Sequence, residues 1–353
     1  AGGGSIAWVD DLGILRVGPE SAGSKPGPAC YGNGGERATI TDAFVVLGYI
    51  GQFDLGYSAI EIDVNKARSA VEFLAGKIGK EAEETAQAIV DIAVSGMYME
   101  ISKLISRYAV DPREYALQAF GGAGPMMACF VAKELGMRTV IISTTPGVLS
   151  ALGGLIADIK NDFIKTVFVE LDGSETTAIQ DEYKLLEADA LQWLRDEQAY
   201  EGDYQLIYSA DMRYRGQAFE IEAILSAKDI ASGDVTAMAE AFHHEHELVY
   251  EHCDRDAAVQ MVNLRLVIVG TSPKPVFPQQ DLTVEAATPE RMVEVFTGGR
   301  FTSVSLFRRE ELHPGFTFEG PAIVVQSDCT SCVPEGLSGR VDTYGNLVLH
   351  ADH

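Results

Sequence analysis

The sequence predicts an α/β layer that passes into an α+β region and ends in a C-terminal all-β stretch. Two observations carry this. Between Tyr115 and Val169, apolar strand-like runs alternate with apolar helical ones, an order that implies a parallel or mixed sheet covered by helices. Beyond Pro273 the chain becomes Pro-rich and then breaks into short β runs such as Ala322-Ile-Val-Val325 and Gly339-Arg-Val-Asp342. Turns at Pro334-Glu-Gly336 and Tyr344-Gly-Asn346 separate these runs. Boundaries near 170 and 275 follow, dividing the chain into 1–170, 171–275 and 276–353.

The elements come in order. Ile6-Ala-Trp-Val9 and Ile14-Leu-Arg-Val17 read as a hairpin around Asp10-Asp-Leu-Gly13. Residues 18–35 form a Gly/Pro/Ser-rich loop whose Pro19, Pro26 and Pro28 suit neither a helix interior nor a central strand. A long ordered loop of this kind is a candidate wall of a site. Lys80 to Tyr108 is the clearest helix, with Ile89, Ala93, Met97, Ile101, Leu104 and Tyr108 at helical spacing and Asp111-Pro112 as the stop. Tyr115 to Phe120 is a strand, Met126 to Leu135 a helix closed by Gly136, and Thr139 to Ile142 a second strand. Pro146 opens a helix to about Ala157, and Phe163 to Val169 is a third strand. Asp181 to Tyr200 and Ala237 to Glu251 read as helices; Tyr204 to Ile224, interrupted at Arg213 to Gln217, and Val259 to Val269 read as strands.

Composition bounds the function. The 353 residues carry 27 basic and 52 acidic side chains, a formal net charge of -25 and a pI near 4.6. Such a surface repels phosphate backbones and anionic lipid heads, so neither nucleic acid nor membrane is an expected partner. No apolar run is long enough for a bilayer, because Val140 to Ile159 is broken by Pro146, Gly147, Gly153 and Gly154. No signal-peptide pattern is visible, and five scattered cysteines argue against a disulfide framework, so a cytoplasmic protein is expected. The chain opens on Ala1-Gly2-Gly3-Gly4-Ser5, as the interior of a longer sequence would.

Several features bear on chemistry. In Phe120-Gly-Gly-Ala-Gly-Pro125, the missing β-carbons of Gly121 and Gly122 would let a flat base or ribose lie on the backbone. Pro125 suits the first turn of a helix, whose free N–H groups favour a polar or anionic ligand. A simple tight turn explains the same spacing, which is neither Gly-x-Gly-x-x-Gly nor a Walker A loop. His243, His244 and His246 lack the i, i+4 pairing of a zinc helix, and Cys329-Thr-Ser-Cys332 lacks two further ligands. Solvated helix and structural packing are the respective readings, and no metal ligands are assigned. Strand alternation would put Arg213, Arg215 and Gln217 on one face, to clamp an anion or to pair with surface acids. Asp42 is a candidate N-cap for the segment after it.

The order of these stretches resembles a known family. Gly2-Gly-Gly-Ser-Ile-Ala-Trp-Val-Asp10 is followed by Val17-Gly-Pro-Glu-Ser-Ala-Gly23, Pro26-Gly-Pro-Ala-Cys-Tyr-Gly32 and Thr39-Ile-Thr-Asp-Ala43. Then come Phe120 to Pro125, Pro146-Gly-Val-Leu-Ser-Ala151, Arg213-Tyr-Arg-Gly-Gln217 and Val262-Asn-Leu-Arg265. Together they resemble the A-type, ATP-binding subunit of the hydantoinase/5-oxoprolinase family, related to the acetone and acetophenone carboxylases.

The resemblance implies that 1–170 is the C-terminal part of an actin/Hsp70/sugar-kinase-like (ASKHA) nucleotide-binding fold. Gly121, Gly122, Ala123 and Gly124 would then contact the adenosine side of ATP, joined by Gly3, Gly4 and Ser5. The Asp-x-Gly-Gly-Thr-like phosphate turns would lie in an upstream half, without which no ATP hydrolysis is expected. It also implies ATP with Mg2+ as cofactor, and a B-type hydantoinase subunit as partner, holding a second metal ion. The expected assembly is a hetero-oligomer acting on a small cyclic amide such as a hydantoin, oxoproline or lactam. Arg213 and Asp42 become catalytic candidates, and Cys30, Tyr214 and Gln217 substrate or interface candidates. The Cys30 and Pro26-Gly-Pro28 match favours the hydrolase branch. A ketone carboxylase subunit and a non-catalytic scaffold for the B-type subunit are the alternatives.

Overall fold

A two-stranded antiparallel ribbon opens the fold, with β1 (Ser5–Val9) and β2 (Leu15–Ser21) joined at the expected turn. Asp10 holds that turn, its Oδ1 accepting from the amides of Leu12 and Ile14 at 3.0 and 2.9 Å. In this computed structural model, which describes residues 2–51 and 61–351, β2 continues through Pro19, expected to be loop. The ribbon has only two strands, and an edge strand tolerates proline because its outer N–H needs no partner.

Helices α1 (Ile40–Val46), α2 (Val64–Ile78) and α3 (Ala82–Tyr108) pack together next. Ala86, Ile89, Val90 and Ala93 of α3 are buried, whereas Leu104 and Tyr108, expected on the same stripe, are exposed. Then β3 (Ala116–Ala119) runs parallel to β4 (Thr139–Ile142), with α4 (Gly124–Leu135) as the crossover, and α5 (Leu149–Ile156) follows.

Residues 155–275 form a compact unit of their own. Its elements are β5 (Ile159–Glu170), α6 (Thr176–Gln192), β6 (Tyr204–Tyr214), β7 (Ile221–Leu225), α7 (Ala227–Ser232), α8 (Val235–Tyr250) and β8 (Val259–Gly270). The strands make an antiparallel sheet in the order β5-β8-β6-β7. Tyr183 of α6 and Phe242 of α8 are buried with Met212, Leu264 and Leu266 of the sheet.

The remaining strands are β9 (Glu285–Ala286), β10 (Arg291–Thr297), β11 (Arg300–Arg308), β12 (Phe316–Glu319), β13 (Ala322–Val325), β14 (Thr330–Val333), β15 (Leu337–Val341) and β16 (Leu347–Ala351). They are not a domain apart. Residues 1–154 and 276–353 form one unit, because β16 pairs antiparallel with β4, Leu349 opposite Val140, in a sheet ordered β3-β4-β16-β15-β12-β9. Two four-residue strands cannot hold a stable sheet alone, and the C-terminal strands extend it. A second sheet, β10-β11-β13-β14, completes the unit.

Helix α4 serves two cores of this unit. Met126, Met127 and Val131 join Ile89, Leu306 and Cys332 in one, and Ala128, Cys129 and Ala132 join Val140, Ile142 and Leu349 in the other. Cys329 and Cys332 are free, buried thiols, in keeping with the packing reading; burial pushes Cys329 up to about 12. Among the described residues, no helix is long and apolar enough to cross a membrane.

Candidate functional site

The first glycine run is held at three points. Ser5 N–H donates to Gly2 O at 2.9 Å, Thr41 N–H to Gly3 O at 2.9 Å, and Ala22 N–H to Gly4 O at 2.8 Å. The run therefore bridges the end of β2 and the start of α1. Gly3 is there because nothing larger fits: a β-carbon would stand 2.6 Å from Thr41 Oγ1 and 3.5 Å from the Ala123 β-carbon. That close approach sets the first glycine run against the second.

The second run turns the chain from β3 into α4. Gly121 takes φ +79, the left-handed region that favours glycine, and its N–H donates to Pro146 O at 2.7 Å. Helix α4 then starts at Gly124 with Pro125 in its first turn and no side-chain cap from Ala123. The first amides of a helix have no partner within it, so an uncapped start leaves donors for a polar ligand.

Two clefts meet at Gly122 and Ala123. One, of about 410 Å3, is largely apolar and lined by Met97, Ile101, Leu117, Phe120, Met127 and Val131. The other, of about 240 Å3, includes Gly3, Gly4, Tyr31, Thr41 and Asp328. An apolar slot beside a smaller one of mixed polarity, joined at Gly122 and Ala123, has room for a flat ring with a hydroxylated appendage.

Asp328 escaped the sequence reading. It follows β13 in a short turn and belongs to no motif, so nothing in the sequence marks it. Its Oδ2 accepts from Gly147 N–H at 2.7 Å and its Oδ1 from Gln326 Nε2 at 2.6 Å, while Gln326 Nε2 also reaches Thr144 O at 3.2 Å. The Pro146–Gly147 turn that it holds is the one that accepts from Gly121.

Asp42 lies deeper than expected. It is not the N-cap of α1: Thr39 is, and Asp42 is the third residue of a capping box. The carboxylate is 0 % exposed and accepts from Ala29 N–H (3.2 Å), Cys30 N–H (2.8 Å), Thr39 N–H (2.9 Å) and Thr39 Oγ1–H (2.8 Å). It thereby ties the Pro-rich loop to α1. Cys30 is buried beside it, and burial, with the Asp42 charge adding, pushes the thiol far up.

Arg213, Tyr214 and Gln217 belong to the 155–275 unit. Arg213 meets Glu220 at 3.1 Å and Gln260 at 3.2 Å and lies over the Phe168 ring, and Arg215 pairs with Glu170 at 3.0 Å. β6 ends at Tyr214 and the chain turns there, yet Arg213 and Arg215 are linked through Gln260, whose Nε2 donates to Glu170 Oε1 at 2.8 Å, and both guanidinium groups pair with acids. Tyr214 OH accepts from Asp254 N–H at 2.8 Å and faces His243 Nδ1 at 2.7 Å. Gln217 Oε1 accepts from Tyr214 N–H, so its Nε2 faces His246 Nε2 at 2.9 Å, and His246 Nδ1 donates to His252 O at 2.6 Å. His243 and His246 are 3 % and 2 % exposed, not solvated. Among the described residues no group of three or more His, Cys, Asp or Glu side chains is placed to hold a metal ion.

Two family descriptions match the chain: Hydantoinase/oxoprolinase over residues 1–163, and Hydantoinase/oxoprolinase C-terminal domain over 170–352. The chain belongs to the hydantoinase/oxoprolinase family. Among its relatives, caprolactamase subunit alpha of Pseudomonas jessenii is 30% identical over 375 residues, covering 100% of this chain and 52% of the relative. Acetophenone carboxylase gamma subunit of Aromatoleum aromaticum is 31% identical over 379 residues, covering 99% and 50%. The crystal structure of the ATP-dependent caprolactamase of Pseudomonas jessenii superposes with a TM-score of 0.77 at 28% identity, covering 100% of this chain and 52% of that one. The chain thus spans about half the length of these hydantoinase/oxoprolinase relatives, and the resemblance read from the ordered motifs holds.

For this family member, two predictions arise from the geometry. Asp328→Ala frees the Pro146–Gly147 turn and with it the Gly121 peptide. Amide hydrogen exchange at Gly147 and Gly121 is expected to quicken about tenfold, the order of one charge-assisted hydrogen bond, with little loss of thermal stability. The second concerns His243, whose pKa is held below its ordinary value of 6.5 by burial, with Arg255 and His246 adding and Glu240 and Asp254 opposing. The folded imidazole takes a proton less readily than the unfolded one, so its contribution is complete above pH 6.5 and lost as the pH falls below it. Urea midpoints at pH 7.5 and 5.5 are expected to show that loss, and His243→Gln to flatten it.

Proposed function

We propose that the unit formed by 1–154 and 276–353 is part of an ASKHA-like fold and holds the adenosine end of an ATP site. Gly3 and Gly4 would form one wall, with Ser5 buried and lining neither cleft, and Gly121, Gly122, Ala123 and Gly124 the other. The observation that carries this reading is the close approach of Gly3 to Ala123 across two joined clefts at the uncapped start of α4. ATP with Mg2+, when bound, supplies the phosphoryl group that activates an amide or enolate oxygen. The residues of this chain bind and orient the nucleoside, and the phosphate grip belongs to an upstream half of the subunit.

The subunit so completed would activate a small cyclic amide for a metal-bearing B-type partner, as part of an ATP-dependent hydrolase. The caprolactamase relative supports this reading, and the acetophenone carboxylase relative, of similar identity, supports a ketone carboxylase as the second. Turnover by the assembled enzyme with ATP against hydantoins, oxoproline, lactams and ketones, with and without bicarbonate, separates them. Bicarbonate-independent opening of a cyclic amide is the expected result. Bicarbonate-dependent consumption of a ketone would replace the first reading by the second, and loss of neither activity on ATP omission would leave a scaffold.

A further inference from the structure

A further cavity of the 1–154 and 276–353 unit lies away from both glycine runs. It is a groove of about 840 Å3 between β1, residues 29–38 and α2. Ala7, Ala29, Ala70 and Leu74 form a buried apolar floor. Two aromatic side chains stand exposed on its rim, Trp8 (39 %) and Phe73 (65 %). The indole is fixed by Trp8 Nε1–H donating to Gly18 O at 2.9 Å, and Lys77 Nζ sits 4.4 Å from the centre of the Phe73 ring.

Lys66, Lys77 and Arg37 line the groove together with Asp63 and Glu36. Lys66 is 3.7 Å from Asp63, Arg37 pairs with Glu20 at 2.7 Å, and Lys77 has no carboxylate partner among the described residues. The wall also carries backbone donors. The amides of Gly34, Gly35, Glu36 and Arg37 meet no acceptor among the described residues. An apolar floor, exposed rings, spare amides and one ammonium without a carboxylate partner are the elements of a site for an amphiphilic anion.

We propose that this groove binds a small organic monocarboxylate with a flat apolar body, lying on the floor between Trp8 and Phe73 with its carboxylate toward Lys66 and Lys77. A single ammonium without a carboxylate partner, that of Lys77, suits a monoanion over a phosphate dianion. The inference does not depend on the nucleotide reading, since the groove shares no residue with either glycine cleft.

Trp8 is one of only two tryptophans, so a Trp193→Phe chain reports the groove alone. Phenylacetate titrated into it is expected to change Trp8 emission saturably, with a dissociation constant on the order of 1 mM or tighter. Benzyl alcohol and acetate should each bind at least about tenfold more weakly, as should phenylacetate to Lys66→Ala/Lys77→Ala or Phe73→Ala. These three side chains are exposed, so the variants should keep the wild-type circular dichroism and melting point. Absence of a saturable change, equal binding of benzyl alcohol, or unchanged affinity in folded variants would each overturn the proposal. Tighter binding of phenyl phosphate would overturn it in favour of a dianion.

Discussion

Asp42→Ala is expected to destabilise the chain by about 4 kcal/mol, the scale for removing one partner of a buried charged network. Four donors converge on this carboxylate, and all four lose their acceptor at once in a site with no exposure. Each unsatisfied buried donor costs about 1–3 kcal/mol, and water entry or local rearrangement reduces the sum to the smaller figure. Asp42→Asn retains one acceptor oxygen but turns an NH2 group toward N–H donors, so it should lose roughly half as much. Urea unfolding followed by Trp8 emission in a Trp193→Phe background measures both. A loss under about 1 kcal/mol for Asp42→Ala would mean that the loop and α1 do not depend on this carboxylate. It would also favour the catalytic candidacy of Asp42, because a buried group without structural weight needs another reason to be there.

What the sequence made legible was local. The stripe from Ile89 to Ala93, the turn at Gly121 and the stop at Gly136 are written in residues a few positions apart, and α3 and α4 form where that pattern puts them. The pairing of β16 with β4 joins residues about 200 positions apart, and no local rule announces it. That single ladder moves 276–353 out of a separate domain and into the sheet that presents the glycine turn. The same limit hid Asp328, which reaches Gly147 from 181 positions away. Arg213 and Arg215 pair with Glu220 and Glu170, the surface-acid alternative, whereas Gln217 lies past the end of β6, where the alternation rule no longer applies. Tyr214 and the histidines were legible only as types. Their burial in one hydrogen-bonded network depends on α8 packing over β6 and β7. By contrast, the two glycine runs were matched by an ordered set of motifs, and the fold brings them to one place.

On the proposed nucleotide reading, Gly122→Trp should abolish nucleoside binding while leaving the fold intact. Gly122 has an ordinary backbone conformation, and the nearest atom to an added β-carbon is Asp328 O at 3.7 Å, a normal contact. A side chain is therefore accepted at the backbone and projects into the clefts that Gly122 helps to line, where an indole occupies the space of a base. Gly3→Val makes the opposite case. Its β-carbon would stand 2.6 Å from Thr41 Oγ1, so stability and binding should fall together. Adenosine affinity for Gly122→Trp is expected to drop by at least about a hundredfold, with a melting point close to wild type. In the assembled enzyme the same change should remove protection by ATP analogues and stop turnover, because a correctly folded subunit would no longer orient its nucleotide. Full activity with protection intact would leave these clefts without a nucleotide role, and the unit as a docking body for a catalytic partner.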